Sequence, residues 1–281
     1  MDCLHTIIMG FIQGLTEFLP VSSSGHIVLT SAIYKLVTGQ DFSVASDEEI
    51  FLDIMLHFGT LLAICIYFRK EIVDICKAFF VAVKTKNFAS YEAKLPLYIM
   101  VGTFFTCLIV LPIKDICENL VSMPAIMGIM LLITGTILLI SEFLSKKIAE
   151  KIGKVDAKKA IIIGVAQGLA AIPGISRSGS TIATALALGI DRVNAARYSF
   201  LLSIPVILLA VIYHIPEIAN PKVFVTVSWL PILTGTAISA IVGYFCIKYF
   251  IALLNKFSLN MYAYYCYIVG LAAFIYFQFF A

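Results

Sequence analysis

Charge is what this chain lacks most. Charged side chains make up 13% of its 281 residues, against about a quarter in an ordinary soluble domain. No long polar run occurs, so no separate soluble domain is expected. No cleavable leader is expected either, because Met1-Asp-Cys-Leu-His lacks a basic start and no small-residue cleavage site follows. Cysteine is present seven times, at 3, 65, 76, 107, 117, 246 and 266, but without CxxC or a Cys/His spacing. That argues against redox or structural-metal work and leaves the thiols as small buried hydrophobes. No nucleic-acid partner is expected. What remains is apolar: 61% of the residues, with mean hydropathy +1.00. The composition implies an all-α integral membrane protein, one polytopic domain over residues 1–281.

Apolar runs cover 51–68, 95–112, 123–141, 198–213, 229–247 and 260–280. Each is near the ~20 residues that span a bilayer, although 198–213 is short. About six full transmembrane helices are therefore expected. Between Arg69 and Lys94 a milder segment places Ile72, Ile75, Cys76 and Phe79 at helical spacing with charges between, which reads as an amphipathic interfacial helix. Lysine and arginine set the orientation. The 69–94 and 146–159 loops are basic and should face the cytoplasm, and the acidic 39–50 loop should face outward. Arg192, Arg197, Lys248 and Lys256 should also lie inside, with topology marking enough to explain the two arginines. His5 and His214 read as interface residues.

Two stretches repeat. Gly10–Gly25 and Gly164–Gly179 both run apolar through Gln-Gly-Leu, break at proline, turn serine-rich and become apolar again, with the proline one residue out of step between Leu169 and Ser176. In a membrane chain this is a helix broken partway across, a recurring way to build a midplane site. Irregular backbone at that depth survives only when buried in protein or lining a polar cavity, so the two turns should shelter each other. Residues 1–38 should enter from outside and 160–190 from inside. Residues 1–145 and 160–281 would then be two repeats of inverted topology, each led by a re-entrant hairpin. A cysteine at position 44 should react from outside, and one at 155 from inside.

The unusual polar residues lie in these turns. Gln13 and Glu17 share a helix face, and a carboxylate within a membrane segment is costly unless paired, protonated or metal-bound. Ser22, Ser23, Ser24 and His26 crowd the same break. One serine suffices as a helix cap, and the histidine suits acid–base work. Gly174, Ser176, Arg177, Ser178 and Thr181 form the second cluster. Its glycine permits close backbone approach, and its guanidinium fork matches phosphate oxygens. Arg177 could also serve only to pair with Glu17. Asp53 and His57, four apart, could be a metal pair, but an interfacial carboxylate beside a packed histidine explains them.

The two motifs together resemble the undecaprenyl-diphosphate phosphatases of the bacitracin-resistance type. The family pattern is Glu/Gln-x-x-x-Glu running into Pro-Val-Ser-Ser-x-Gly-His, then Pro-Gly-x-Ser-Arg-Ser-x-x-Thr. Here it reads Gln13 to Glu17, Pro20 to His26 and Pro173 to Thr181. The resemblance extends over essentially the whole chain, and Asp53 and His57 fall on the family's acidic-plus-polar helix. It implies hydrolysis of undecaprenyl diphosphate to the monophosphate and phosphate, which recycles the lipid carrier for cell-wall synthesis and confers bacitracin resistance. It implies the bacterial cytoplasmic membrane, with a site open to the outer side. It also implies a divalent cation, Mg or Ca, with Gln13 and Glu17 as ligands. Glu17, Ser23, His26 and Arg177 are then the catalytic candidates. Ser22, Ser24, Gly174, Ser176, Ser178 and Thr181 are the substrate-binding ones. His26 is expected to take the Ser23 proton while Arg177 stabilises charge; attack by water or by His26 itself stays open. A homodimer also stays open. The competing class is transport, a polyprenyl-phosphate flippase or anion carrier, which would need the binding groups but no nucleophile.

Overall fold

The computed structural model describes residues 3–39, 47–148, 153–214, 227–254, 256 and 258–280. Regular structure among them is entirely helical. Two short helices, α1 (Cys3–Thr16) and α2 (Ser23–Thr38), flank the first break. They are followed by α3 (Asp47–Tyr67), α4 (Arg69–Thr85), α5 (Tyr91–Val121) and α6 (Pro124–Lys147). A second short pair, α7 (Ala157–Leu169) and α8 (Arg177–Ala187), flanks the second break. Then come α9 (Arg192–Tyr213), α10 (Trp229–Leu253) and α11 (Asn260–Phe279). Six helices among the described residues, α3, α5, α6, α9, α10 and α11, are long and apolar enough to cross a membrane. The chain is a multi-pass all-α membrane protein.

Each broken pair packs against the opposite half of the chain. α1 lies along α10, α7 lies along α5, and α6 and α11 lie along each other. Missing side chains make this possible. A Cβ on Gly10 would stand 2.3 Å from the Gly235 carbonyl oxygen, and one on Gly164 would stand 2.4 Å from that of Gly102. Such small-residue seams let membrane helices approach to backbone contact. The second seam is also hydrogen-bonded: Thr106 Oγ1 donates to the Gly164 carbonyl at 3.0 Å, and Gln167 Nε2 donates to Thr106 Oγ1 at 3.0 Å. Phe18, in the first break, joins the largest apolar cluster and meets Phe200 edge-on, with ring centroids 5.4 Å apart.

Several expectations change. The short 198–213 run belongs to a helix that starts at Arg192, because Asp191 caps it by accepting from the Asn194 N–H at 3.0 Å. Arg192 and Arg197 do more than mark topology. Arg192 pairs with Glu142 of α6, whose side chain is 3% exposed, and Arg197 pairs with Glu71 of α4. α4 forms as expected, but it buries Ile75 and Ala82 and leaves Cys76 exposed. All seven cysteines are free, and only Cys246 and Cys266 are buried. His5 is buried and packs on the Tyr34 ring, with centroids 4.4 Å apart. Position 44 and most of the acidic loop lie outside the described residues. Val155 is buried, and its N–H donates to the Tyr91 hydroxyl at 3.2 Å, so Lys154, which is exposed, is the better labelling position.

Candidate active site

Equivalent caps build both turns. Ser22 and Ser176 occupy matching places in the repeat, each just before a short helix. The Ser22 hydroxyl accepts from the Gly25 N–H at 3.2 Å, and the Ser176 hydroxyl accepts from the Gly179 N–H at 3.0 Å. This satisfies backbone donors that a helix start leaves free. Only the proline is out of step, Pro173 lying one place earlier than Pro20, and in that turn Gly174 takes φ 87°. A Cβ there would also meet the Met130 Cβ at 2.5 Å, so glycine is required twice over.

The turns lock onto each other. The Gly174 N–H donates to Ser24 Oγ at 3.1 Å, and Ser178 Oγ donates to the Leu19 carbonyl at 2.9 Å. Thr134 of α6 clamps the second turn, donating to the Gly174 carbonyl at 3.2 Å and accepting from the Ser176 N–H at 3.0 Å. Thr181 donates to the Arg177 carbonyl and shares a 2.6 Å contact with Ser199. The hydroxyls of Ser22, Ser24, Ser176, Ser178 and Thr181, expected on substrate, thus bond within the protein and shape the site.

Glu17 is the hub, and it is 5% exposed. Its Oε1 accepts from Arg177 Nη2 at 2.6 Å. Its Oε2 accepts from Ser23 Oγ at 2.6 Å and from Gln13 Nε2 at 3.1 Å. His57 Nε2 lies 3.9 Å from the same Oε2. A buried carboxylate needs such company, because removing its partners leaves an uncompensated charge. Among the Glu17 partners Ser23, His57 and Arg177 are partly exposed, as is the neighbouring Ser24, so a ligand can reach them.

The expected Ser23–His26 bond is not formed. Ser23 takes the carboxylate, a stronger acceptor than a neutral ring nitrogen. Both His26 nitrogens are engaged elsewhere: Nδ1 is 2.7 Å from the Ser22 carbonyl, and Nε2 is 2.8 Å from the Tyr265 hydroxyl. Tyr265 was not legible in advance, because the run Tyr262–Tyr267 gives no reason to single out one ring. His57, read from the sequence as a packed histidine beside Asp53, instead turns Nε2 toward the hub while its Nδ1 approaches Asp53 Oδ2 to 3.6 Å; the i,i+4 spacing was the only signal for it.

Two polar atoms at the hub lack partners. Arg177 Nη1 and Gln13 Oε1 are buried and find no hydrogen bond among the described residues. The first is a spare donor for an oxyanion. The second is a neutral oxygen beside the Glu17 carboxylate, which suits a hard cation. No group of three or more His, Cys, Asp or Glu that could hold a metal occurs among the described residues. Gln13 Oε1 and the Glu17 carboxylate are hard oxygen donors of the kind Mg²⁺ accepts beside water and phosphate oxygens.

The family model for bacitracin resistance protein BacA matches residues 6–272. An undecaprenyl-diphosphatase of Halothermothrix orenii is 42% identical over 271 residues, covering 96% of each chain. One of Methanosphaera stadtmanae is 39% identical over 286 residues, covering 98% of each. One of Desulfatibacillum aliphaticivorans is 40% identical over 280 residues, covering 96% of this chain and 97% of that protein.

Proposed function

The chain belongs to the bacitracin resistance protein BacA family, and from that membership we infer that it is an undecaprenyl-diphosphate phosphatase. It hydrolyses the diphosphate to undecaprenyl phosphate and inorganic phosphate, which returns the lipid carrier to envelope synthesis. The observation that carries a phosphate reading is Arg177. One arm of its fork holds Glu17 and the other is buried without a partner. A transferring phosphoryl group would accept from that N–H, because preorganised donors stabilise charge where it develops.

Ser23 is the nucleophile in this proposal, and Glu17 takes the base role first assigned to His26. Ser23 Oγ attacks the terminal phosphorus, and its proton passes to Glu17 Oε2, 2.6 Å away. The bond to the bridging oxygen breaks and the lipid monophosphate leaves. Water then attacks the seryl phosphate, the Glu17 proton returns to Ser23, and phosphate leaves with both hydrogens of the water. A carrier would need only the binding groups, so the Ser23–Glu17 contact favours the hydrolase. Gln13 and Glu17 would hold the divalent cation, whose charge offsets that of the diphosphate. Purified protein in detergent should release phosphate from a polyprenyl diphosphate. Chelation should abolish release, and Mg or Ca should restore it. Turnover that ignores chelator would remove the cation from the proposal and leave Glu17 as base alone.

The proposed setting is the cytoplasmic membrane, with the site open to its outer side. Residues 1–145 and 160–281 are proposed as the two inverted repeats, supported by the matching caps and by the exchange of α1 and α7 between halves. In intact cells a cysteine at Val44 should react with an impermeant maleimide, and one at Lys154 only after permeabilisation. Equal labelling of both positions from outside would defeat the inverted topology.

A further inference from the structure

Ser22 is one of two non-glycine residues with positive φ among the described residues, at φ 70°. A residue with a Cβ stays in that region only when its surroundings hold it there. The position matters because the next side chain is Ser23. Four contacts reach Ser22. Its hydroxyl accepts from the Gly25 N–H and lies 3.3 Å from Ser24 Oγ. Its carbonyl receives the His26 N–H at 3.3 Å and His26 Nδ1 at 2.7 Å. A carbonyl oxygen only accepts, so the hydrogen of the neutral ring is on Nδ1 and Nε2 is left as an acceptor. The Tyr265 hydroxyl of α11 fills that acceptor at 2.8 Å, with the two rings within 7° of parallel. The ring of His26 is thus held at both ends, and neither end faces Ser23.

We propose that Tyr265 and His26 are positioning residues whose hydrogen-bonded line, from the Tyr265 hydroxyl through the His26 ring to the Ser22 carbonyl, holds Ser22 in its left-handed conformation and so aims the Ser23 hydroxyl at Glu17. The inference rests on the serine-nucleophile reading. It gives a remote tyrosine on α11 a share in turnover without contact with the reacting phosphorus. It also assigns His26 a task that needs a donor at one place rather than a titrating ring.

The test uses purified full-length protein in detergent, with kcat and KM for a polyprenyl diphosphate and a melting curve for every variant. Tyr265→Phe should lower kcat about tenfold with KM changed less than about twofold, since misaiming a bound nucleophile costs rate rather than binding. His26→Ala should lose about 10²-fold. His26→Asn keeps a side-chain N–H near the place of Nδ1 and should stay within about tenfold of the unsubstituted protein. A proton-transferring histidine would lose about 10²–10⁴-fold in the same variant. Tyr265→Phe added to His26→Ala should cost nothing more, because the two residues act in series. Unchanged kcat in folded Tyr265→Phe, losses that multiply in the double variant, or a His26→Asn protein as impaired as His26→Ala would each overturn the proposal. Should Tyr265→Phe fail to fold, the His26→Asn result decides alone. Full activity in Ser23→Ala would instead sink the underlying reading.

Discussion

Arg177→Lys should cut phosphate release about 10²–10³-fold while the protein stays folded, the range seen when one preorganised donor to an oxyanion is lost. Two tasks meet in this side chain, and lysine can take over only one. The charge opposite Glu17 survives in an ammonium, so the buried carboxylate keeps a counter-ion and the melting temperature should move little. The planar fork does not survive. In the structure Nη2 is committed to Glu17 at 2.6 Å while Nη1 is buried with no hydrogen-bond partner among the described residues. A single point of charge cannot hold the carboxylate and meet a phosphate oxygen at fixed angles. Arg177→Ala is a worse probe, because it strands a buried charge and confounds stability with chemistry. Near-normal turnover in folded Arg177→Lys would return the residue to a purely structural pairing.

Ser23→Ala should remove at least about 10³-fold of kcat, as expected when the attacking atom is deleted and only binding and charge stabilisation remain. Folding should be spared, since Ser23 is partly exposed and the Glu17–Arg177 and Glu17–Gln13 contacts do not depend on it. Loss of rate alone does not separate a nucleophile from a hydroxyl that only binds phosphate. Brief reaction with terminally labelled substrate, acid quench and mass mapping of the Ser22–His26 peptide does. Label on Ser23 marks the seryl phosphate, acid-labile label on His26 marks a histidine route, and substantial activity in Ser23→Ala eliminates the serine.

The membrane class and the two broken helices were readable because the bilayer imposes strong rules on length and backbone satisfaction. Gln13, Glu17 and Arg177 stood out for the same reason: polar groups are costly there, and so conspicuous. What the sequence hides is direction. Spacing put Ser23 within reach of His26, but the left-handed Ser22 turns successive side chains apart, so Ser23 reaches Glu17 and His26 reaches Tyr265. Arg192 looked like a topology marker because its partner, Glu142, lies 50 residues earlier at the end of another helix. The hydroxyls expected on phosphate also bond to the backbone of the two turns, a task that spacing alone does not display.

The exchange of short helices between halves sets the order in which the protein can be finished. Glu17 is separated from Arg177 by 160 residues. At about 5–20 residues per second of synthesis, roughly 8–30 s pass before its counter-ion exists. Over that interval the carboxylate must stay hydrated or protonated, because hydrocarbon will not hold it charged and alone. α1 waits longer for its seam, since Gly235 of α10 is made later still. The first helix to emerge is therefore among the last to be seated, and a chain cut short before α10 would leave its opening hairpin unhoused, a natural mark for membrane quality control.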